Sequence, residues 1–179
     1  MQIQDARIES LKTFDCFKVV WKYIAIELTC AVIGSHTDAR IGEKVVIPDC
    51  KLMLVPCDNE NEAHYVCAVL NSSISRFIVA SYAVGTQLST HILENIKVPK
   101  YDPKNELHQD LSRLSEQCHE KVAIGITVSD FEDQIDELAA ELWGVEQTGI
   151  EGYKSESGGV EMIGFGHSYR GNNDKIQLR

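Results

Sequence analysis

ENEAHYVCAVLNSSISRFIVASY, residues 60–82, is the stretch that decides the fold. From about Asn61 apolar residues fall on nearly every side of a helical wheel, first from Glu62 to Leu70 and again from Ser72 to Tyr82. A helix on a protein surface carries one apolar stripe, whereas one that is apolar all round is covered from several directions. The pair Asn71-Ser72 breaks the run, with Ser72 suited to cap the second piece. Two consecutive buried helices are therefore expected, and something must cover them on more than one side.

The flanking segments supply that cover. Upstream, residues 14–57 read as strands. FKVVWKYI (17–24) is rich in β-branched and aromatic residues, and CAVIG (30–34) is a second short apolar run. SHTDAR (35–40) reads as a polar loop. EKVVI (43–47) and KLMLV (51–55) are two further strands parted by Pro48-Asp49, and Pro56 is expected to close the second. Downstream, Gly85-Thr86-Gln87 reads as a loop, Ser89 to Asn95 as a short helix and Ile96 to Pro99 as a last strand. Asn105 caps a helix running to about Val122, with Leu107, Leu111, Leu114 and Cys118 on one face. Ser129-Asp130-Phe131-Glu132 has the form of a capping box for another helix, whose Phe131, Ile135, Leu138 and Leu142 share a face and which Gly144 ends. The expected class is α+β: a mixed or antiparallel sheet with buried helices, followed by a C-terminal helical pair. Residues 1–103 form the α/β core, 104–147 the helical pair, and 148–179 a mobile tail.

The charge is unevenly spread. The chain of 179 residues carries a formal net charge of −10. Residues 1–100 hold 10 Lys+Arg against 11 Asp+Glu, while residues 101–179 hold 7 against 16. The acidity belongs to the C-terminal part, so a local basic stripe in the first hundred residues can still meet a polyanion. Strong non-specific DNA binding is argued against. No run is long and apolar enough for a membrane helix, and MQIQDARIES lacks the basic head and apolar core of a secretory signal. Six cysteines without a CxxC pair read as buried thiols in a reducing, cytoplasmic compartment rather than as a zinc or disulfide framework.

A search for enzyme motifs returns little. Gly164-Phe165-Gly166 is too short for a dinucleotide fingerprint, no Walker loop, HExxH or GxSxG is present, and the six histidines are scattered singly. Asp133, Asp136, Glu137 and Glu141 read as a solvated helix face rather than a metal site.

An ordered series of short motifs is more informative. KLMLVP (51–56), AHYVCAVLNSSI (63–74) and STHILENIKVP (89–99) together resemble the TaqI-like target-recognition domain at the C-terminal end of N6-adenine DNA methyltransferases of restriction–modification systems. In that family a strand leads to a helix ending in Leu-Asn-Ser, then a Gly- and Ser-bearing loop and a short strand ending in proline. The segments NELH (105–108) and IDELAAELWG (135–144) resemble the family's terminal helices, with Trp143 where a tyrosine commonly stands. The resemblance covers roughly residues 14–147. It implies a sequence-recognition domain excised from an S-adenosylmethionine-dependent DNA-adenine methyltransferase. The four prolines, Pro48, Pro56, Pro99 and Pro103, include no adjacent pair, so the Asn/Asp-Pro-Pro-Tyr element that holds a flipped adenine is absent. The fragment is expected to be non-catalytic and to carry no cofactor itself, with S-adenosylmethionine implied for the missing domain.

The implied partners are double-stranded DNA and the upstream methyltransferase domain or a partner subunit, with no membrane. Bases are read by side chains on loops held by a rigid scaffold. Arg40 can fork to a guanine, with His36, Thr37 and Lys44 beside it. Gln87 can pair with an adenine edge next to Thr90, and Lys18 and Lys22, alternating on one strand face, can contact phosphates together. Arg76 suits an internal ion pair or the missing domain, and Asn71 a cap or turn. Three other readings compete: a stand-alone specificity subunit, an acidic DNA-mimic inhibitor of such an enzyme, and a small thiol enzyme, which would need a low-pKa cysteine.

Overall fold

The computed structural model describes residues 17–82 and 87–145. The tail from 148 to 179, Cys16 and the loop residues Gly85 and Thr86 lie outside them. The described residues form an α+β fold with antiparallel strands. β1 (Phe17–Lys22) is the centre of a three-stranded sheet, flanked by β2 (Cys30–Ile33) and β5 (Leu52–Cys57). Val19 pairs with Val32 on one side and Val55 on the other. Pro56 does not close β5 as expected but sits inside it, opposite Lys18. β5 is an edge strand, where the missing N–H of proline breaks no ladder.

SHTDAR is not a loop. β3 (Ser35–Asp38) and β4 (Gly42–Val45) form a separate antiparallel hairpin whose eight residues are all exposed. Asp38 supplies the turn: its Oδ1 accepts from the backbone N–H groups of Arg40 and Ile41, at 2.8 and 3.2 Å. Gly42 then takes φ +71°, the left-handed value a three-residue hairpin loop needs at its exit. The polar composition of the first arm hid a strand because nothing packs on it, whereas the second arm, expected as a strand over 43–47, forms over Gly42–Val45.

The odd-numbered residues of β1 face α1 (Glu60–Asn71), the buried helix of the opening stretch. Val19, Trp21, Cys30 and Cys57 of the sheet meet Ala63, Cys67 and Leu70 in one core. The opposite side of α1 presents Tyr65, Ala68 and Val69 to Leu111 and Leu114 of α4 (Glu106–Ala123) and Ile135 of α5 (Ser129–Trp143). α1 is thus the middle of three layers, and its core is continuous across residue 103. Asn59 caps it by accepting from the Glu62 N–H at 2.9 Å.

α2 (Ser73–Tyr82) follows after Ser72, whose Oγ accepts from the Ser75 N–H. The stronger cap comes from far away. Asp136 of α5, 8% exposed, accepts from the Ser73 N–H at 2.7 Å and from the Ser73 hydroxyl. Asp136 was expected on a solvated face; a carboxylate at a buried helix N-terminus is stabilised by the orphan N–H groups and the helix dipole.

Two further expectations change. Ile96 to Pro99 is not a strand, because α3 (Ile92–Ile96) ends with Lys97 in the left-handed region, φ 49°, and the chain leaves irregularly. The Ser129–Glu132 capping box does not form, since α5 starts at Ser129 itself and Val128 precedes it without a side-chain cap. Asn105 does cap α4, accepting from Leu107 N–H, and Gly144 ends α5 at φ 63°.

Candidate nucleic-acid interface

The frame that holds the exposed hairpin is the outer edge of β2. An edge strand leaves N–H and C=O groups pointing away from its sheet, and these must find partners when buried. Cys30 finds both on one side chain: Asn71 Oδ1 accepts from its N–H at 2.8 Å and Asn71 Nδ2 donates to its carbonyl at 2.9 Å. Asn71 therefore does more than end a helix; its amide stands in for the next strand. Two residues on, the Val32 N–H donates to His119 Nε2 at 2.9 Å. His119 Nδ1 donates in turn to the Ser115 carbonyl at 2.8 Å. The backbone groups assign the roles: Nε2 accepts from an N–H and Nδ1 faces a carbonyl.

His64 lies edge-on to His119, 5.0 Å between ring centroids, and its Nδ1 meets Ser115 Oγ at 3.2 Å. Burial, with His119 as a second contribution, holds His64 down to about 4. Nothing in the sequence spacing singles out Asn71, His119 or Asp136 for these tasks, because each partner is more than forty residues away.

The hairpin begins immediately beyond this clamp. His36 sits directly opposite Lys44, and Thr37 opposite Glu43. Cross-strand partners share a face, so His36 and Lys44 project together. Arg40 is in the turn, exposed, on the backbone that Asp38 orders. Four of the eight candidate DNA contacts are thereby brought onto one element.

Lys22, Gln87 and Thr90 lie elsewhere. β2 leaves the sheet beside Lys18, whereas Gln87 bridges Ile24 just past the other end of β1. Six residue steps separate the two places, about 20 Å. Here Lys22, Gln87 and Thr90 are all exposed. Leu88 anchors this end: its side chain is buried, its N–H donates to the Tyr23 carbonyl at 2.7 Å, and its carbonyl accepts from Trp21 Nε1 at 2.9 Å.

Lys18 does not join Lys22 as a phosphate contact. It is 0% exposed, and its Nζ donates to the Val46 carbonyl at 3.2 Å. The chain between β4 and β5 runs from Val46, held by Lys18, to Lys51, whose carbonyl accepts from Tyr23 N–H. It passes from one end of β1 to the other and closes off the ammonium. Arg76 forms the expected ion pair, 3.1 Å to Glu27.

Charge is distributed to match. α5 carries Asp130, Glu132, Asp133, Asp136, Glu137 and Glu141 and no Lys or Arg. The hairpin from Ser35 to Val45 balances Asp38 and Glu43 with Arg40 and Lys44. A polyanion would be repelled from the α5 side. The five described cysteines are free, and each thiol is shifted upward; Cys57 and Cys67 are pushed up to about 12, chiefly by burial. Such thiols are poor nucleophiles at neutral pH. Among the described residues no cluster of three His, Cys, Asp or Glu is placed to hold a metal ion, and no helix is long and apolar enough to cross a membrane. No protein-family model matches the chain, and no curated protein matches it.

Proposed function

We propose that this chain is the sequence-recognition domain of an N6-adenine DNA methyltransferase of the restriction–modification type, separated from its catalytic domain. One observation carries the reading: a hairpin whose eight strand residues are all exposed is rooted in the β2 edge, where Asn71 and His119 take up the outward backbone groups of Cys30 and the Val32 N–H. Ordering exposed residues costs conformational entropy and buries little apolar surface in return. An exposed hairpin that presents His36, Arg40 and Lys44 from a fixed scaffold suits base readout. Arg40 is the candidate for a guanine edge, His36 and Lys44 for phosphate or base on the shared face, and Thr37 for a weaker polar contact. Lys22, Gln87 and Thr90 would form a second contact region about 20 Å along the chain of β1.

Support for a missing partner domain comes from exposed apolar residues. Ile26 is 97% exposed and Ile24 66%, and Val45, Val46 and Ile47 are three exposed apolar residues in succession. Apolar surface of this kind is characteristic of interaction sites. S-adenosylmethionine would bind in that partner, and methyl transfer would occur there. Among the described cysteines none has the low-pKa thiol that the thiol-enzyme alternative needs.

Sequencing the gene upstream of Met1 tests the separation. An open frame encoding a glycine-rich cofactor loop and an Asn/Asp-Pro-Pro-Tyr motif is the expected result. A stop codon directly upstream would make the chain an independent protein and favour a specificity subunit or a DNA-mimic inhibitor.

A further inference from the structure

The outer edge of β2 is held by two side chains of different chemistry. The Asn71 amide that meets Cys30 does not titrate, whereas the imidazole that meets Val32 can take up a proton. Both partners of His119 are backbone groups, so the roles of its ring nitrogens are fixed. The Val32 N–H can only donate to Nε2, and the Ser115 carbonyl can only accept from Nδ1. The ring therefore holds this edge only while Nε2 carries no proton. A proton there sets two donors against each other across 2.9 Å, and the contact opens. His64 is bound less strictly, because the Ser115 hydroxyl at 3.2 Å can donate or accept. Val32 lies three residues before Ser35, where the hairpin strand begins. The first rung of the hairpin, from the Val46 N–H to the Gly34 carbonyl at 3.0 Å, follows directly.

We propose that His119 is a proton-operated latch: neutral, it fastens the outer edge of β2 at the root of the β3–β4 hairpin; charged, it releases that edge. Histidine changes charge between about pH 8 and 5, and His119 is half-buried, within reach of solvent. α1 faces it with His64, whose ring centroid is 5.0 Å away, and carries Glu60 one turn before His64 and Cys67 about one turn after. β2 carries Cys30 alone. On α4 itself Glu116, Cys118 and Glu120 lie within a turn, and Glu132 of α5 acts on Cys118. Burial pushes the Cys30, Cys67 and Cys118 thiols up, so all three stay uncharged. His64, held down to about 4, is still neutral when the pH reaches about 5. The carboxylates of Glu60, Glu116, Glu120 and Glu132 are exposed and already ionised in this range. A proton taken up here therefore belongs to His119. The inference stands on the hydrogen bonds of the β2 edge and does not depend on DNA recognition.

Nuclear magnetic resonance of the full chain reads both ends of the latch between pH 8 and 5. Imidazole nitrogen shifts follow the charge of His119, and amide hydrogen exchange, corrected for the intrinsic effect of pH, follows the edge. As His119 gains its proton, exchange at the Val32 amide is expected to quicken about fivefold, the worth of one neutral hydrogen bond. The Val46 amide, on the first rung of the hairpin, should quicken with it. The Cys30 amide, held by Asn71, and the Leu111 amide within α4 should not. His119→Gln keeps an acceptor and removes the titrating group, so its Val32 and Val46 amides should show no such step. Should that variant not fold, the wild-type titration decides by itself. A Val32 amide indifferent to the charge of His119, a Val46 amide that does not follow Val32, or a ring that stays neutral to pH 5 in the folded chain overturns the latch. The same step in a folded His119→Gln chain overturns it too, as does equal quickening at Cys30 and Leu111, which would be loosening of the whole fold.

Discussion

The α1 helix and the β3–β4 hairpin are opposites built from similar lengths of chain. Of α1's twelve residues seven are buried, and polar groups among them are matched to partners far away in sequence. The hairpin's eight strand residues are all exposed, and its bonds are local ones between β3, β4 and the Asp38 turn. Fold stability therefore concentrates in one region and adjustable surface chemistry in the other, joined at the β2 edge. A substitution in the first region should unfold the protein; one in the second should change only what the protein binds.

The largest expected effect is in the helical layer. Leu111→Ala removes a fully buried side chain that packs against Tyr65 and Val69, and should cost about 3 kcal/mol in chemical denaturation. Arg40→Ala, by contrast, should move stability by less than about 0.5 kcal/mol. If the two cost the same, the division between frame and hairpin is wrong.

Acid should act on the frame as well. His64 is 6% exposed, and its pKa falls from 6.5 to about 4 on folding, so it is neutral in the native state and protonated in the unfolded chain between those values. Its contribution is complete above pH 6.5 and is lost as pH falls toward 4, a loss of about 3 kcal/mol. His108, lowered by burial against a smaller opposing pull from Asp102, adds to the loss with the same sign. Urea midpoints measured across this range should fall with pH, and the slope should flatten in a His64→Gln chain.

Next comes the joint between the regions. Asn71→Leu leaves the N–H and C=O of Cys30 without their partners and should cost about 2 kcal/mol. Amide hydrogen exchange should then quicken at Cys30, where the bond is lost, more than within α4. Uniform quickening would show that Asn71 supports the whole fold rather than this edge.

The smallest effect should be a gain. Lys97 holds a left-handed conformation that costs a residue with a Cβ about 1 kcal/mol, so Lys97→Gly should stabilise the protein by up to about that amount in thermal unfolding.

The same contrast explains which elements the sequence revealed. α1, α2 and α4 were legible because periodicity and local caps act within a few residues, as Asn105 on Leu107 N–H illustrates. The antiparallel sheet followed from short β-branched runs. SHTDAR misled because a strand pair that buries nothing has no alternation to display. The candidate contacts His36, Thr37, Arg40 and Lys44 could be named from residue type, and the structure gathers them. Lys18 could not be distinguished from Lys22, since both are lysines on one face and only the crossing chain at Val46 separates them. Asn71, His119 and Asp136 act across the fold, and Tyr23 meets Gln87 sixty-four residues away. Such pairings have no local signature.

The most direct measurement is the affinity of the full chain for duplex DNA across a salt series, compared with an Arg40→Ala, Lys44→Ala chain of equal stability. The expected result is binding at low salt that weakens as salt rises, with the double variant bound more weakly and its salt slope smaller by up to about two. Equal binding by both chains, or none by either, would contradict a recognition role for the hairpin.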